Sequence, residues 1–342
     1  MRWQLAWTGI IAAALAGCRG PLQAITQSRA VIHNSPVEDR GPLTERTVLP
    51  GDQSGEKIAI VDVDGLLLNT PMAGLGSLGE NPVALLREKL DCAAADPCYR
   101  AVVLRINSPG GGVTATDIMW QEVQRFKRQT QLPVVACLMD VGAGGAYYVA
   151  TAADQIVAHP TTITGGIGVI LNLYNLQDTL MQFNILGTPV KAGRHIDVGS
   201  PLAPLDDEAR QILQSIADQY HKRFQEIVQT ARPRHDPQRT EDFDGRVFLA
   251  PEALERGLID RIGYLDDAVA VAREMGRCPL APALMLHRAN DPARSPYAVT
   301  PNMPLQGSLL PLSVPGFDRT QMPAFLYLWQ PEPTLERRAA GR

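Results

Sequence analysis

Short apolar runs alternate with amphipathic helical stretches through the middle of this chain, and few architectures satisfy that alternation. Ile58-Ala59-Ile60-Val61-Asp62-Val63 reads as a first strand and Ala101-Val102-Val103-Leu104-Arg105-Ile106 as a buried one. Between them, Asn81-Pro82 supplies an N-cap and a proline at the first position of a helix running to about Leu90. Thr114 to Gln129 carries Ile118, Val123 and Phe126 at helical spacing. Val134 to Met139 is the next strand, Gly145 to Ala153 a short helix of small residues, and Gln155 to Ala158 another strand. Such alternation implies an α/β fold of parallel strands joined by right-handed crossover helices. A Gly-rich loop at Gly74 to Gly79 interrupts it early. Past Thr161 come the Gly-rich Thr164 to Ile170, a helix around Asn175 to Phe183 and a strand at Thr188 to Lys191. A long helix from Asp206 to Thr230 follows, placing Ile212, Ile216, Tyr220, Phe224, Ile227 and Val228 on one face.

The two ends differ from this body. Arg2, the apolar run Trp3 to Leu15 and the small-residue site Leu15-Ala16-Gly17-Cys18 make residues 1–17 a removable signal peptide, too short for the roughly 20 residues of a spanning helix. A cysteine at the first mature position is the acyl acceptor of bacterial lipoproteins. Cys18 is therefore expected to carry lipid and to tether the chain to a membrane of the bacterial cell envelope, facing the periplasm or exterior. Residues 18–56 mix Pro, Gly, Ser and charge without hydrophobic period, as a flexible tether would. Residues 57–278 form the folded domain, and 279–342 a Pro-rich tail with apolar islands at Leu309-Leu310 and Phe325 to Trp329. The second island is expected to dock on a neighbouring subunit or in a groove, because left bare it would promote association.

Charge and cysteines narrow the function classes. A net charge of -4 without a basic block gives no reason to expect a nucleic-acid partner. Cys92 and Cys98 lie close enough in sequence for a disulfide in an oxidising compartment, the alternative being two free thiols. The six histidines are scattered, and no Cys/His cluster has metal spacing, so neither metal nor cofactor is expected.

Three motifs carry chemistry. Asn107-Ser108-Pro109-Gly110-Gly111-Gly112 follows a strand and precedes a helix, where glycines let backbone N–H groups approach a ligand carbonyl. Asp140-Val141-Gly142-Ala143-Gly144-Gly145-Ala146-Tyr147-Tyr148 is a second strand-to-helix turn, and Phe243-Asp244-Gly245-Arg246-Val247-Phe248 continues to Gly257-Leu258-Ile259-Asp260. In this order they resemble the bacterial signal peptide peptidases, Ser/Lys serine peptidases of the Clp protease and crotonase superfamily. The resemblance implies that superfamily's spiral of parallel strands and crossover helices, with Gly110, Gly111 and Gly145 as oxyanion or peptide-binding donors. In the family the second turn runs D-x-A-A-S-G-G-Y-Y, which drops the nucleophile position onto Gly144.

The general base comes from a motif like K-S-G-x-x-K-D-x-x-S-P, which here reads Lys191-Ala192-Gly193-Arg194-His195-Ile196-Asp197-Val198-Gly199-Ser200-Pro201. The base position falls on Ile196. A glycine has no atom to attack a carbonyl, and a hydrocarbon cannot take a proton. The resemblance therefore implies a peptidase-like chain lacking both dyad residues. Such a chain would bind extended peptides or signal-peptide remnants, or serve as an assembly subunit in a homo-oligomer or beside an active paralogue. The alternatives are a substitute nucleophile or base among Ser108, Thr164, Ser200, Lys191 and His195, and crotonase-like acyl chemistry. An envelope location argues against the latter, since coenzyme A thioesters are cytoplasmic.

Overall fold

A computed structural model of the chain describes residues 41–53, 55–71, 79–289, 293–298 and 325–329. The signal peptide, Cys18, most of the tether, all of the Gly-rich loop except Gly79, and Leu309-Leu310 lie outside these residues.

The described strands form one sheet: β1 (Leu43–Leu49), β2 (Lys57–Leu67), β3 (Tyr99–Gly112), β4 (Val134–Ala143), β5 (Gln155–Ala158), β6 (Ile163–Gly165), β7 (Val247–Leu249), β8 (Arg261–Ile262), β9 (Ala283–Arg288) and β10 (Leu326–Leu328). Its main path runs β1-β9-β2-β3-β4-β5-β8. β6 lies against β4 and β7, and β10 lies against β3. From β9 through β8 every neighbouring pair on the path is parallel. Parallel neighbours need crossovers, supplied by α1 (Pro82–Ala95), α2 (Val113–Thr130) and α3 (Gly145–Ala150). The expected α/β class is thus the observed one.

Side-chain alternation divides the core into two layers. Ala59, Val61, Val102, Leu104, Val134 and Ala136 pack with Leu86 and Leu90 of α1 and with Met119, Val123 and Phe126 of α2. Their neighbours Ile58, Ile60, Ala101, Val103, Val135 and Cys137 face the other way, onto Leu265, Ala268, Val269 and Ala272 of α7 (Leu265–Met275). Period-two alternation buries both faces, which is why these strands read as continuous apolar runs. The remaining helices are α4 (Gln177–Gln182), α5 (Asp207–Ala231) and α6 (Ala250–Glu255). No helix among the described residues is long and apolar enough to cross a membrane.

Three expectations are corrected. Leu43–Leu49, read as tether, is a strand paired antiparallel with β9. β9 itself lies in the stretch read as tail, yet all six of its residues are buried. The two segments complete each other's hydrogen bonds, a long-range pairing that local composition does not reveal. Thr188 to Lys191 forms no strand; Val190 is fully exposed, with no sheet edge to receive it. Of the two alternatives for Cys92 and Cys98, the structure has the free thiols, Cys92 packed against the core from α1 and Cys98 beside Asp96.

Polar groups are buried with the core as well. Asp62 sits between Arg105, 2.8 Å away, and Lys89, 4.0 Å away, with all three side chains almost fully buried. Burial pulls the Lys89 ammonium below its ordinary pKa, and the Asp62 carboxylate opposes that pull. Arg105 also donates to the Pro296 and Ala298 carbonyls, tying residues 296–298 to β3. Across the sheet, burial alone would raise the Asp260 carboxyl, but Arg232 grips it with two 2.8 Å bonds and holds it below its usual range. Asp62→Ala removes the carboxylate between two buried cations and is expected to cost about 3–5 kcal/mol, read from urea unfolding. Asp260→Asn should flatten the acid limb of stability. A depressed carboxyl stabilises above its unfolded pKa of about 3.9, and that stability is lost as pH falls through the folded pKa.

Candidate functional site

β3 outruns its partner. Its last pair with β4 is Ser108 with Gly142, and beyond it the β3 edge is free of β4. Backbone groups there require partners. β10 provides them in antiparallel register, Leu326 opposite Gly112, Tyr327 opposite Gly111 and Leu328 opposite Gly110. The ladder continues at both ends, the Val113 amide donating to the Phe325 carbonyl at 3.2 Å and the Trp329 amide to the Pro109 carbonyl at 3.0 Å. On its far side Leu326 exchanges two bonds with Ile170, at 2.9 and 3.0 Å. The apolar island expected to dock therefore lies in a groove of its own chain, as an added strand.

The floor of this groove is glycine. Gly144 caps α3 with φ +55° and ψ −126°, a backbone conformation that side chains disfavour, and its amide donates to the Gly165 carbonyl at 2.9 Å. A Cβ at Gly144 would lie 2.6 Å from the Tyr327 carbonyl oxygen and 3.0 Å from the Tyr327 carbonyl carbon. The same oxygen is the nearest atom to a Cβ on Gly110, and it would lie 3.2 Å from one on Gly145. Gly111 pairs with Tyr327 on one side, while a Cβ on it would strike the Leu67 main chain. The structure thus brings Gly110, Gly111, Gly144 and Gly145 together around one peptide carbonyl.

Ile196 does not join them. It is 72% exposed on the arm of residues 171–205, whereas the atoms nearest a Cβ on Gly144 belong to Tyr327 and Pro109. Its neighbours are engaged elsewhere: Lys191 pairs with Asp197 at 2.8 Å, and the His195 ring faces the Glu208 carboxylate of α5 at 3.2 Å. His195 and Asp197 therefore make no relay. The other substitute candidates are also engaged. The buried Ser108 hydroxyl accepts from the Gly110 amide at 3.1 Å, Thr164 donates to the Gly142 carbonyl at 2.7 Å, and Ser200 accepts from the Leu202 amide at 3.2 Å. Among the described residues, no group of His, Cys, Asp and Glu could hold a metal ion.

Sequence reading missed two contributors. The fully buried Thr116 aims its hydroxyl at Gly145, where it is the nearest atom to an added Cβ. Nothing in the helical pattern of α2 distinguishes this threonine from a packing residue. The second is an aromatic slot. Tyr327 is fully buried, stacked on Tyr148 with ring centroids 5.4 Å apart and tilted against Phe224 at 4.8 Å. Tyr148 came with the turn motif and Phe224 with the face of α5, but no spacing joins them.

The geometry is that of a peptide carbonyl held over a glycine turn between strand ends, and the profile of peptidase family S49 matches residues 126–277, which contain that turn. Across more of the chain, the chloroplastic serine protease SPPA of Arabidopsis thaliana is 31% identical over 78% of this chain and 38% of its own length. Protease 4 of Salmonella typhi is 31% identical over 67% of this chain and 36% of its own. The putative signal peptide peptidase SppA of Enterococcus faecium is 28% identical over 73% of this chain and 71% of its own. The chain belongs to peptidase family S49. It spans little more than a third of the Arabidopsis and Salmonella proteins.

For an S49 chain, the glycine at position 144 has a measurable consequence. Gly144→Ser places a side chain both in the disfavoured backbone region and against the Tyr327 carbonyl. It is expected to cost about 1–3 kcal/mol and to expel β10. Thermal unfolding reads the first effect. Hydrogen exchange at the Leu326 amide reads the second, and should accelerate about tenfold or more for roughly 1.4 kcal/mol.

Proposed function

We propose that this S49 chain holds extended peptide segments in the groove between Gly110 and Gly144 without cleaving them, at a bacterial envelope membrane to which acylated Cys18 anchors it. The Tyr327 carbonyl supports the reading. Its carbon lies 3.0 Å from where a Cβ on Gly144 would be, so the groove grips a peptide where a nucleophile would attack and offers none. The resemblance puts the general base at Ile196, which cannot accept a proton. What remains is recognition: main-chain pairing along Gly110–Gly112, glycines that admit a close carbonyl, and an aromatic slot. Signal-peptide remnants fit this description because they are apolar and, once released, free to extend.

A second reading, an assembly subunit beside further copies or an active relative, is favoured by the arm around α4. There Phe183, Leu186, Val190 and Ile196 are each at least 71% exposed. The two readings are compatible, since a ring subunit can also hold peptide.

A fluorophosphonate probe applied to the full chain tests the absence of cleavage. The expected result is no labelling and no turnover of a fluorogenic peptide. Stoichiometric labelling of any one residue, abolished when that residue is changed, would overturn the reading. Cys18→Ser tests the anchor: the protein should move from the detergent phase to the aqueous phase and lose the mass of its acyl chains.

A further inference from the structure

We infer that the groove selects for a tyrosine, presented in extended chain with a second aromatic residue two positions before it; this rests on the peptide-binding reading above. The selection lies in what each side chain of the bound segment touches. Of Phe325 to Trp329, only Tyr327 is fully buried, the other four being half-buried. Its hydroxyl donates to the Tyr220 main-chain carbonyl at 2.7 Å. Tyr148 and Phe224, themselves edge-on at 5.0 Å, close a three-ring cluster with it. Alternation along a strand turns Phe325 the same way, and it meets the ring of Tyr220 edge-on at 5.4 Å. Residues 325 and 327 are thus both read by α5, two positions apart.

Contacts outside the bound segment fix the stacking wall of the slot. Tyr148, its stacking wall, donates its hydroxyl to Asp117 at 2.6 Å, and Arg223 fixes that carboxylate with bonds of 3.0 and 2.6 Å. Trp120 supports Tyr148 from behind, edge-on at 6.1 Å. A wall so fixed leaves little rotamer entropy to lose on binding. The slot is apolar on its sides and carries one acceptor at its end, which suits a phenol and no aliphatic side chain. Burial raises the Tyr327 phenol pKa, so the hydroxyl stays a donor across the physiological range.

The expected size of the preference follows from the acceptor. Tyr220 sits inside α5, where its carbonyl already accepts from the amide four residues on. A phenylalanine in the slot would forfeit the phenol bond but would not strand an unpaired buried carbonyl. Tyrosine should therefore be preferred over phenylalanine by only about three- to tenfold. Against alanine, which empties the slot, the preference should reach about a hundredfold or more.

The test uses the full chain carrying Tyr327→Ala, which vacates the slot in cis, and fluorescent peptides copying residues 323–331 with Tyr, Phe, Leu or Ala at the position of Tyr327. Hydrogen exchange at the Leu326 amide confirms that the segment has been released. Affinities ordered Tyr, Phe, Leu, Ala are expected. A second measurement needs no added peptide: in the full chain, Tyr327→Phe should open the segment about three- to tenfold more often, and Tyr327→Leu more often still. Phenylalanine binding as well as tyrosine, with Tyr327→Phe leaving exchange unchanged, would overturn the tyrosine preference while the peptide-binding reading stands. No binding of any peptide to the released chain would overturn the peptide-binding reading itself.

Discussion

A β-strand longer than its neighbour must find another partner for its exposed main chain, and the site of this protein follows from that requirement. β3 and β4 pair in parallel up to Ser108 and Gly142, after which β4 turns into α3 at Gly144. The reversal leaves the amides and carbonyls of residues 109–113 facing a slot that only an extended segment can fill. A side chain on Gly110, Gly144 or Gly145 would project into that slot, because each would meet the main chain of Tyr327. The missing Cβ atoms and the unpaired edge thus act together. The edge supplies affinity for any extended backbone, and the glycines let a carbonyl approach closely enough to use it.

The parts legible in the sequence are those that local pattern determines. Buried strands β2 to β5 read as apolar runs because both faces are covered, and the glycine turns read as motifs because only glycine tolerates the backbone angles at Gly144 or the close approach at Gly111. What could not be read depends on contacts distant along the chain. β1 and β9 pair across more than two hundred residues, so a charged stretch looked like tether although it forms an edge strand whose Glu45 pairs with Lys57 of β2 at 2.8 Å. The island at Phe325 to Trp329 was legible as a patch needing cover. Its register on Gly110–Gly112 was not, because any extended segment satisfies the same main-chain bonds. The aromatic slot draws on α2, α3 and α5, whose residues share no spacing.

The long helix α5 shows how one element serves two purposes. Its apolar face, continuous in sequence from Ile212 to Val228, buries only the part that reaches the core, through Phe224 and Val228. Phe224 is both a core residue of the sheet layer and a wall of the slot. Asp117 of α2 and Arg223 beside it clamp this part of α5 to the helix layer, so the position of the slot is set by the same contacts that close the core. Ile212, by contrast, remains exposed near the arm. Stability and recognition are therefore coupled at one end of α5 and separate at the other.

Occupancy of the groove by the chain's own segment changes what affinity means for this protein. A covalently joined ligand presents itself at an effective concentration on the order of mM when the connection spans the distance. A free peptide with the same contacts would have to approach that concentration to displace it, and one weaker by tenfold would need correspondingly more. If the groove holds other peptides as proposed, it would be available only to segments that pair better than Phe325 to Trp329, or when that segment is drawn away. The half-buried Leu326 and Leu328 leave room for improvement at two positions, whereas Tyr327 already fills its slot. On the proposed peptide-holding reading, competition with the chain's own segment would therefore be decided at the positions flanking the tyrosine, and the tyrosine itself would set the threshold that a competitor has to match.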